Sequence, residues 1–86
     1  MTKSEFLDRI KKENIQLGQW LIILDEVNDS PFVMGCYEED GKWKIYKTGE
    51  RHGHYIFDEY DNENIAFDEF YELIKFEERM MKGKYR

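Results

Sequence analysis

The stretch Glu39-Asp40-Gly41-Lys42-Trp43-Lys44-Ile45-Tyr46, continued by Gly49-Glu50-Arg51-His52-Gly53 and Tyr55-Ile56-Phe57, decides the reading of the fold. Asp40-Gly41 is the strongest hairpin signal in the chain, because these two residue types accept the positive φ angles that a two-residue turn between twisted strands requires. Beyond the turn, Trp43 and Ile45 share one face of a strand, while Lys42, Lys44 and Tyr46 share the other. Trp43 and Ile45 are the pair expected to point inward. The glycines at 49 and 53 frame a second turn. In the strand that follows, Tyr55 and Phe57 alternate with His54, Ile56 and Asp58, although Ile56 does not suit a purely polar face.

Working outward toward the N-terminus, Pro31 opens the apolar run Phe32 to Tyr37, where a missing amide proton does little harm to a ladder. Ahead of it, Trp20-Leu21-Ile22-Ile23-Leu24 is too short for an independent helix and is bounded by Gly18 and Asn28-Asp29-Ser30-Pro31, so it reads as a strand. Its lack of alternation predicts burial on both faces or a central place in the sheet. Thr2 with Glu5 forms a capping-box pattern, and Phe6, Leu7 and Ile10 recur at helical spacing, which predicts a helix over about residues 3–15. Gly18 is suited to its end or to the link behind it.

Toward the C-terminus, Asp61 or Asn62 can cap a last helix whose first turn carries Glu63 and whose end gathers Arg79, Lys82 and Lys84. Ala66, Phe70, Leu73 and Ile74, widened by Phe67, Tyr71 and Met81, give it an apolar stripe that should cover a sheet face. The connections are short, which predicts an α+β domain of one helix, a four-stranded antiparallel meander and a second helix, with both helices on one face. Eighty-six residues make a single domain, 1–86, whose residues 81–86 form a basic tail that is expected to fray.

Composition narrows the function classes. Forty-one per cent apolar and 16% aromatic residues supply a core and argue against disorder. Thirteen basic against nineteen acidic residues give a net charge of −6, which opposes nonspecific binding to nucleic acid or an anionic membrane and favours basic partners. A single cysteine, Cys36, lies in an apolar run, consistent with a buried thiol in a reducing cytoplasm. Neither a signal-peptide core nor a run long enough to span a bilayer occurs, so the sequence reads as a complete cytoplasmic chain.

Candidate chemistry is thin. His52 and His54 stand two apart, so on an extended strand both could face a metal with Glu50, but this gives fewer ligands than a closed site needs and suits a solvated turn equally well. Cys36 with a histidine would be a nucleophilic pair, yet a thiolate among apolar neighbours is disfavoured by desolvation. No glycine-rich phosphate loop opens a helix. Neither catalytic residues, a metal nor a cofactor are therefore expected. The carboxylates remain: Glu38-Glu39-Asp40, Asp58 to Glu63, and Asp68, Glu69, Glu72, Glu77 and Glu78, interleaved with Tyr37, Tyr60 and Tyr71. Carboxylates steer a basic partner, and aromatic anchors supply affinity.

The pattern Gly41-x-Trp43-x-Ile45-Tyr46, then Glu50-Arg51-x-Gly53, an aromatic strand, and Asn62-Glu63-x-x-Ala66-Phe67-x-x-Phe70-Tyr71-x-Leu73 resembles small bacterial immunity proteins of polymorphic toxin systems. The resemblance spans residues 41–74. It implies a compact cytoplasmic α+β inhibitor that binds a cognate protein toxin directly, and an acidic inhibitor would suit a basic nuclease toxin. The contact residues expected on this reading are Glu50, Arg51, His52, Asp58, Glu59, Tyr60, Asp61 and Glu63. A reading from a different class is a small accessory or structural protein, encoded by a phage or mobile element, that forms a homodimer through an exposed sheet edge.

Overall fold

A computed structural model describes residues 1–49 and 53–84. Its elements run α1 (Lys3–Glu13), β1 (Leu21–Leu24), β2 (Val33–Glu39), β3 (Lys42–Thr48), β4 (His54–Tyr60) and α2 (Glu63–Lys84). The α+β class and the element order agree with the sequence reading. The basic tail is helical as far as Lys84.

α1 begins on the predicted capping box: the Thr2 hydroxyl accepts from the Glu5 amide and the Glu5 carboxylate accepts from the Thr2 amide. It stops earlier than expected, because Asn14 takes the left-handed conformation at φ 48° and closes the C-terminus. Gly18, at φ 61°, serves the link that follows. α2 is capped by Asn62, whose side-chain oxygen accepts from the Ile65 amide.

The strands lie in the order β1-β2-β3-β4. Asp40 and Gly41 have φ angles of 53° and 77°, so the β2–β3 hairpin closes on the two-residue turn that the dipeptide predicts, with Glu39 opposite Lys42. β3 and β4 are also antiparallel. The full meander is overturned at β1, which pairs with β2 in parallel, Leu21 beside Val33 through Leu24 beside Cys36. The connection is long enough to allow this, and its contacts with Tyr46 fix it. A four-residue strand is only about 13 Å long, whereas the eight residues from Asp25 to Phe32 can reach roughly 26–29 Å, enough to return to the start of the sheet. Asp25 and Phe32, at φ 68° and 60°, turn the chain at the two ends of this return. β1 is consequently an edge strand and not a central one, and Leu21 is 58% exposed.

Two cores result. On one face, Met34, Cys36 and Ile45 pack with Phe6 from α1 and with Ala66, Phe67, Phe70 and Ile74 from α2, so both helices share that face. Phe6 lies at 5.2 Å from Phe67 and 5.1 Å from Phe70, centroid to centroid. Trp43 meets Phe67 edge-on at 5.6 Å. Among the described residues no helix covers the other face. There Val33, Tyr37 and Tyr46 form a smaller cluster with Ile23 against it. Tyr46, expected on the outer face, is fully buried, because the return loop crosses over it: its hydroxyl donates to the Glu26 carbonyl at 2.9 Å and accepts from the Asn28 amide at 3.1 Å. Beside it, the buried Thr48 hydroxyl accepts from the Val33 amide and donates to the Ser30 carbonyl, both at 2.7 Å.

Gly35 makes this second core possible. It is paired with Tyr46 across the ladder, and a Cβ at Gly35 would fall only 2.1 Å from the Tyr46 ring. Gly35→Ala should therefore cost about 1–3 kcal/mol or more by overpacking, and Phe70→Ala about 3–5 kcal/mol by leaving a cavity in the larger core. Urea unfolding monitored by tryptophan fluorescence measures both; a neutral Gly35→Ala would contradict the tight approach of Tyr46.

Candidate functional site

β4 is the free edge of the sheet opposite β1, and six of its seven residues are exposed. Its pairing with β3 shifts register between Ile45 and Tyr46, whose partners are Asp58 and Ile56, so Phe57 is the extra residue of a bulge. The bulge breaks the simple alternation. Tyr55 stands opposite Lys47 and Asp58 opposite Ile45, on the helix side of the sheet, while Ile56 stands opposite Tyr46 on the other. Tyr55, Ile56 and Phe57 are 55%, 41% and 51% exposed.

The predicted contact residues divide into three groups. Glu50, Arg51 and His52 lie outside the described residues. Asp58, Glu59, Tyr60 and Asp61 run along the end of β4 and the turn after it. The Asp58 carboxylate accepts from the Tyr60 hydroxyl at 2.7 Å and from the Glu59 amide at 2.8 Å. Burial of the Tyr60 ring, then its bond to Asp58, pushes the phenol well above its ordinary range, which keeps it a donor. Glu59 faces Lys44, whose ammonium is held by Glu39 at 2.9 Å. Asp61 pairs with Lys42, and that pairing raises the lysine. Glu63 is set apart: its carboxylate accepts from the Lys3 amide at 2.9 Å and fastens α1 to α2.

Asp58, Glu59 and Asp61 thus form an exposed acidic end to an edge strand, and Tyr60 is half-buried beneath them. His54 is turned to other work. Its Nδ1 pairs with Asp29 and its ring stands edge-on to Tyr46 at 5.6 Å. Among the described residues no group of three or more His, Cys, Asp or Glu is placed to hold a metal ion. Cys36 is fully buried, and its thiol is pushed up to about 12, first by burial and then by the charges of Asp25 and Glu63.

The sequence reading passed over a second surface. α2 crosses above β4, and between them a hollow of about 390 Å³ is lined by Phe57, Leu73, Phe76 and the ion pair Lys47–Glu77. Phe76 also borders a neighbouring hollow of about 350 Å³ formed with Trp20, Phe32, Met80 and Met81. Phe76 and Met80 are about half exposed. The available signal was Tyr55-Ile56-Phe57, three apolar residues in a row on a strand that had already taken one face.

The densest cluster of titratable groups lies elsewhere, where α1 meets α2. Both oxygens of Glu13 are 2.7 Å from the Tyr71 hydroxyl, Arg9 reaches Glu13 at 3.0 Å, and the Arg9 guanidinium sits 4.7 Å over the Tyr71 ring. Lys75 bridges Glu13 and Glu78, and Glu78 accepts from the Gln16 amide. Every member is occupied in joining the helices. Among the described residues no helix is long and apolar enough to cross a membrane.

Fold and site together define a small α+β domain with a mixed four-stranded sheet, two helices on one face and an acidic free edge. Compared with protein-family models, curated proteins and solved structures, the chain matches none.

The Glu13–Tyr71 contact carries a pH signature. The Tyr71 bond, chiefly, lowers Glu13, so its contribution is complete above the ordinary glutamate value of about 4.3 and is lost as pH falls through the lowered folded value. The same bond raises Tyr71, so that contribution is complete below about 10 and is lost as pH rises through the raised value. Tyr71→Phe should destabilise the domain most between roughly pH 5 and 9, with the gap to the parent narrowing at both extremes. Urea midpoints across a pH series test this; a gap independent of pH would count against it.

Proposed function

We propose that this chain is a non-enzymatic protein-binding module that acts as an immunity protein, holding a cognate toxin inactive by direct docking. What supports the reading most is the acidic free edge: Asp58, Glu59 and Asp61 lie exposed at one end of an edge strand that also exposes apolar side chains. An inhibitor of this kind needs no reactive group of its own. It needs a surface that finds its target quickly and holds it.

Each part of the edge suits one of those tasks. The carboxylates raise the encounter rate with a basic surface, a long-range effect that salt screens. The net charge of −6 adds to it. Asp61 can exchange its partner Lys42 for a cation of the target at little cost, because both are exposed. Ile56, exposed on the face away from α2, supplies contact area that excludes water once docked. A nuclease toxin, whose active site must attract phosphate, is the target class this chemistry fits. The resemblance over residues 41–74 points the same way.

The test is co-expression with a toxin-like product of a neighbouring reading frame. Rescue of growth and co-purification as a stable complex are expected; a toxin that neither binds nor is neutralised would defeat the proposal. Reversing charge at Asp58, Glu59 and Asp61 together should slow association about tenfold or more at low salt and flatten its salt dependence, as read by stopped-flow or surface plasmon resonance.

A further inference from the structure

We infer that a second copy of this chain docks on the apolar surface between β4 and α2, the two copies related by a two-fold axis that sets α2 antiparallel to α2 about Phe76. This interface is separate from the acidic end of β4 and does not rest on the toxin-binding reading.

The surface is apolar at its centre. Phe57, Leu73, Phe76 and Met80 adjoin one another across the two hollows that share Phe76. A half-exposed aromatic ring leaves roughly 75–125 Å² open to water, so these side chains together with Tyr55 offer on the order of 400 Å². That is a reasonable apolar core for an interface of about 800 Å² per partner once a polar rim is added. The Lys47–Glu77 pair in its midst is no obstacle. It is closed at 2.7 Å and already shielded, at 14% and 15% exposure, so covering it adds little desolvation.

Charge selects the occupant. Glu69, Glu72, Phe76 and Arg79 follow spacings of three and four and thus form one outward row on α2. The row changes sign at Phe76, with carboxylates on the N-terminal side and a guanidinium on the C-terminal side. All three charged residues line the same hollow, and none has an ion-pair partner within the described residues. A uniformly basic ligand would meet Arg79, and a uniformly acidic one Glu69 and Glu72. A copy of the same row, reversed, meets neither difficulty. Arg79 lies about 4.5 Å beyond Phe76 along the axis and Glu72 about 6 Å before it, so antiparallel packing about Phe76 sets each Arg79 nearly level with the partner helix's Glu72. Two equivalent ion pairs then flank a Phe76–Phe76 contact, the self-complementarity that a two-fold interface demands.

β4 does not need to extend the sheet for this. The bulge at Phe57 bends the strand, which discourages regular edge-to-edge pairing, and brings an aromatic side chain to the α2 surface instead.

Sedimentation velocity of the whole chain, from low micromolar to submillimolar concentration, tests the inference. A reversible monomer–dimer equilibrium is expected. Phe76→Asp should weaken it roughly thirtyfold or more, and Glu72→Arg should weaken it through repulsion by Arg79 of the other copy. Combining Glu72→Arg with Arg79→Glu should restore it. A parent that stays monomeric throughout, a dimer indifferent to Phe76→Asp, or a double variant no better than Glu72→Arg alone would each overturn the inference. Circular dichroism checks that every variant is folded, and the charge swap stands on its own should Phe76→Asp fail to fold, since both its positions are exposed.

Discussion

The close approach of the Tyr46 ring to Gly35 is the constraint on which the rest of the sheet depends. One residue without a side chain admits a large ring to the face opposite the two helices, and the ring's hydroxyl then offers a fixed point to the backbone of the return loop. With Glu26 and Asn28 held there, the chain reaches the start of β2 in the right direction, and β1 can pair in parallel. Thr48 repeats the device one strand-end away by bonding Ser30 and Val33. Polar groups that would otherwise be stranded under a loop become its fastenings, which is why so short a parallel connection is stable. The larger core on the opposite face needs only a flat platform, and Met34, Cys36 and Ile45 provide it.

How much of this could be read from the residues follows from whether the cause is local. The Asp40-Gly41 turn, the capping box of α1, the Asn62 cap and the apolar stripe of α2 are local and legible, since each depends on residues within a turn or two of one another. The direction of β1 is not. Leu21 to Leu24 carries the same apolar pattern whether parallel or antiparallel, and the choice is made by contacts from Glu26 and Asn28 to Tyr46, some twenty residues away. The burial of Tyr46 itself was hidden for the same reason, because alternation assigns it a face without saying that a loop will cover that face. At the site, the carboxylates announce themselves as charge, but only the fold separates Glu63, which ties α1 down, from Asp58, Glu59 and Asp61, which stay exposed at the edge. The bulge at Phe57 defeats alternation by definition.

β4 emerges as a strand with two different sides and an acidic end. One side belongs with Tyr46 and carries Ile56; the other looks toward α2 and carries Tyr55 and Phe57; and the carboxylates Asp58, Glu59 and Asp61 gather at the end of the strand and the turn after it. The proposed toxin contact uses the end together with Ile56, and the proposed contact between copies uses the α2 side. The two proposals therefore call on different side chains of the same strand.

The way α1 is held has a consequence for the order in which the domain assembles. Phe6 is fully buried, yet its ring partners are Phe67 and Phe70, and the backbone of Lys3 and of Gln16 is bonded to Glu63 and Glu78. The aromatic partners of the first helix and the side chains that bond its two ends to α2 are therefore made some sixty residues later in synthesis. The hairpins of β2, β3 and β4 can form from neighbours in sequence, but α1 must wait with its apolar face uncovered until α2 exists. Completion of the larger core is thus a late event that joins α1 to α2, and an amphipathic segment made well before its partner helix is the part most in need of protection in the interval.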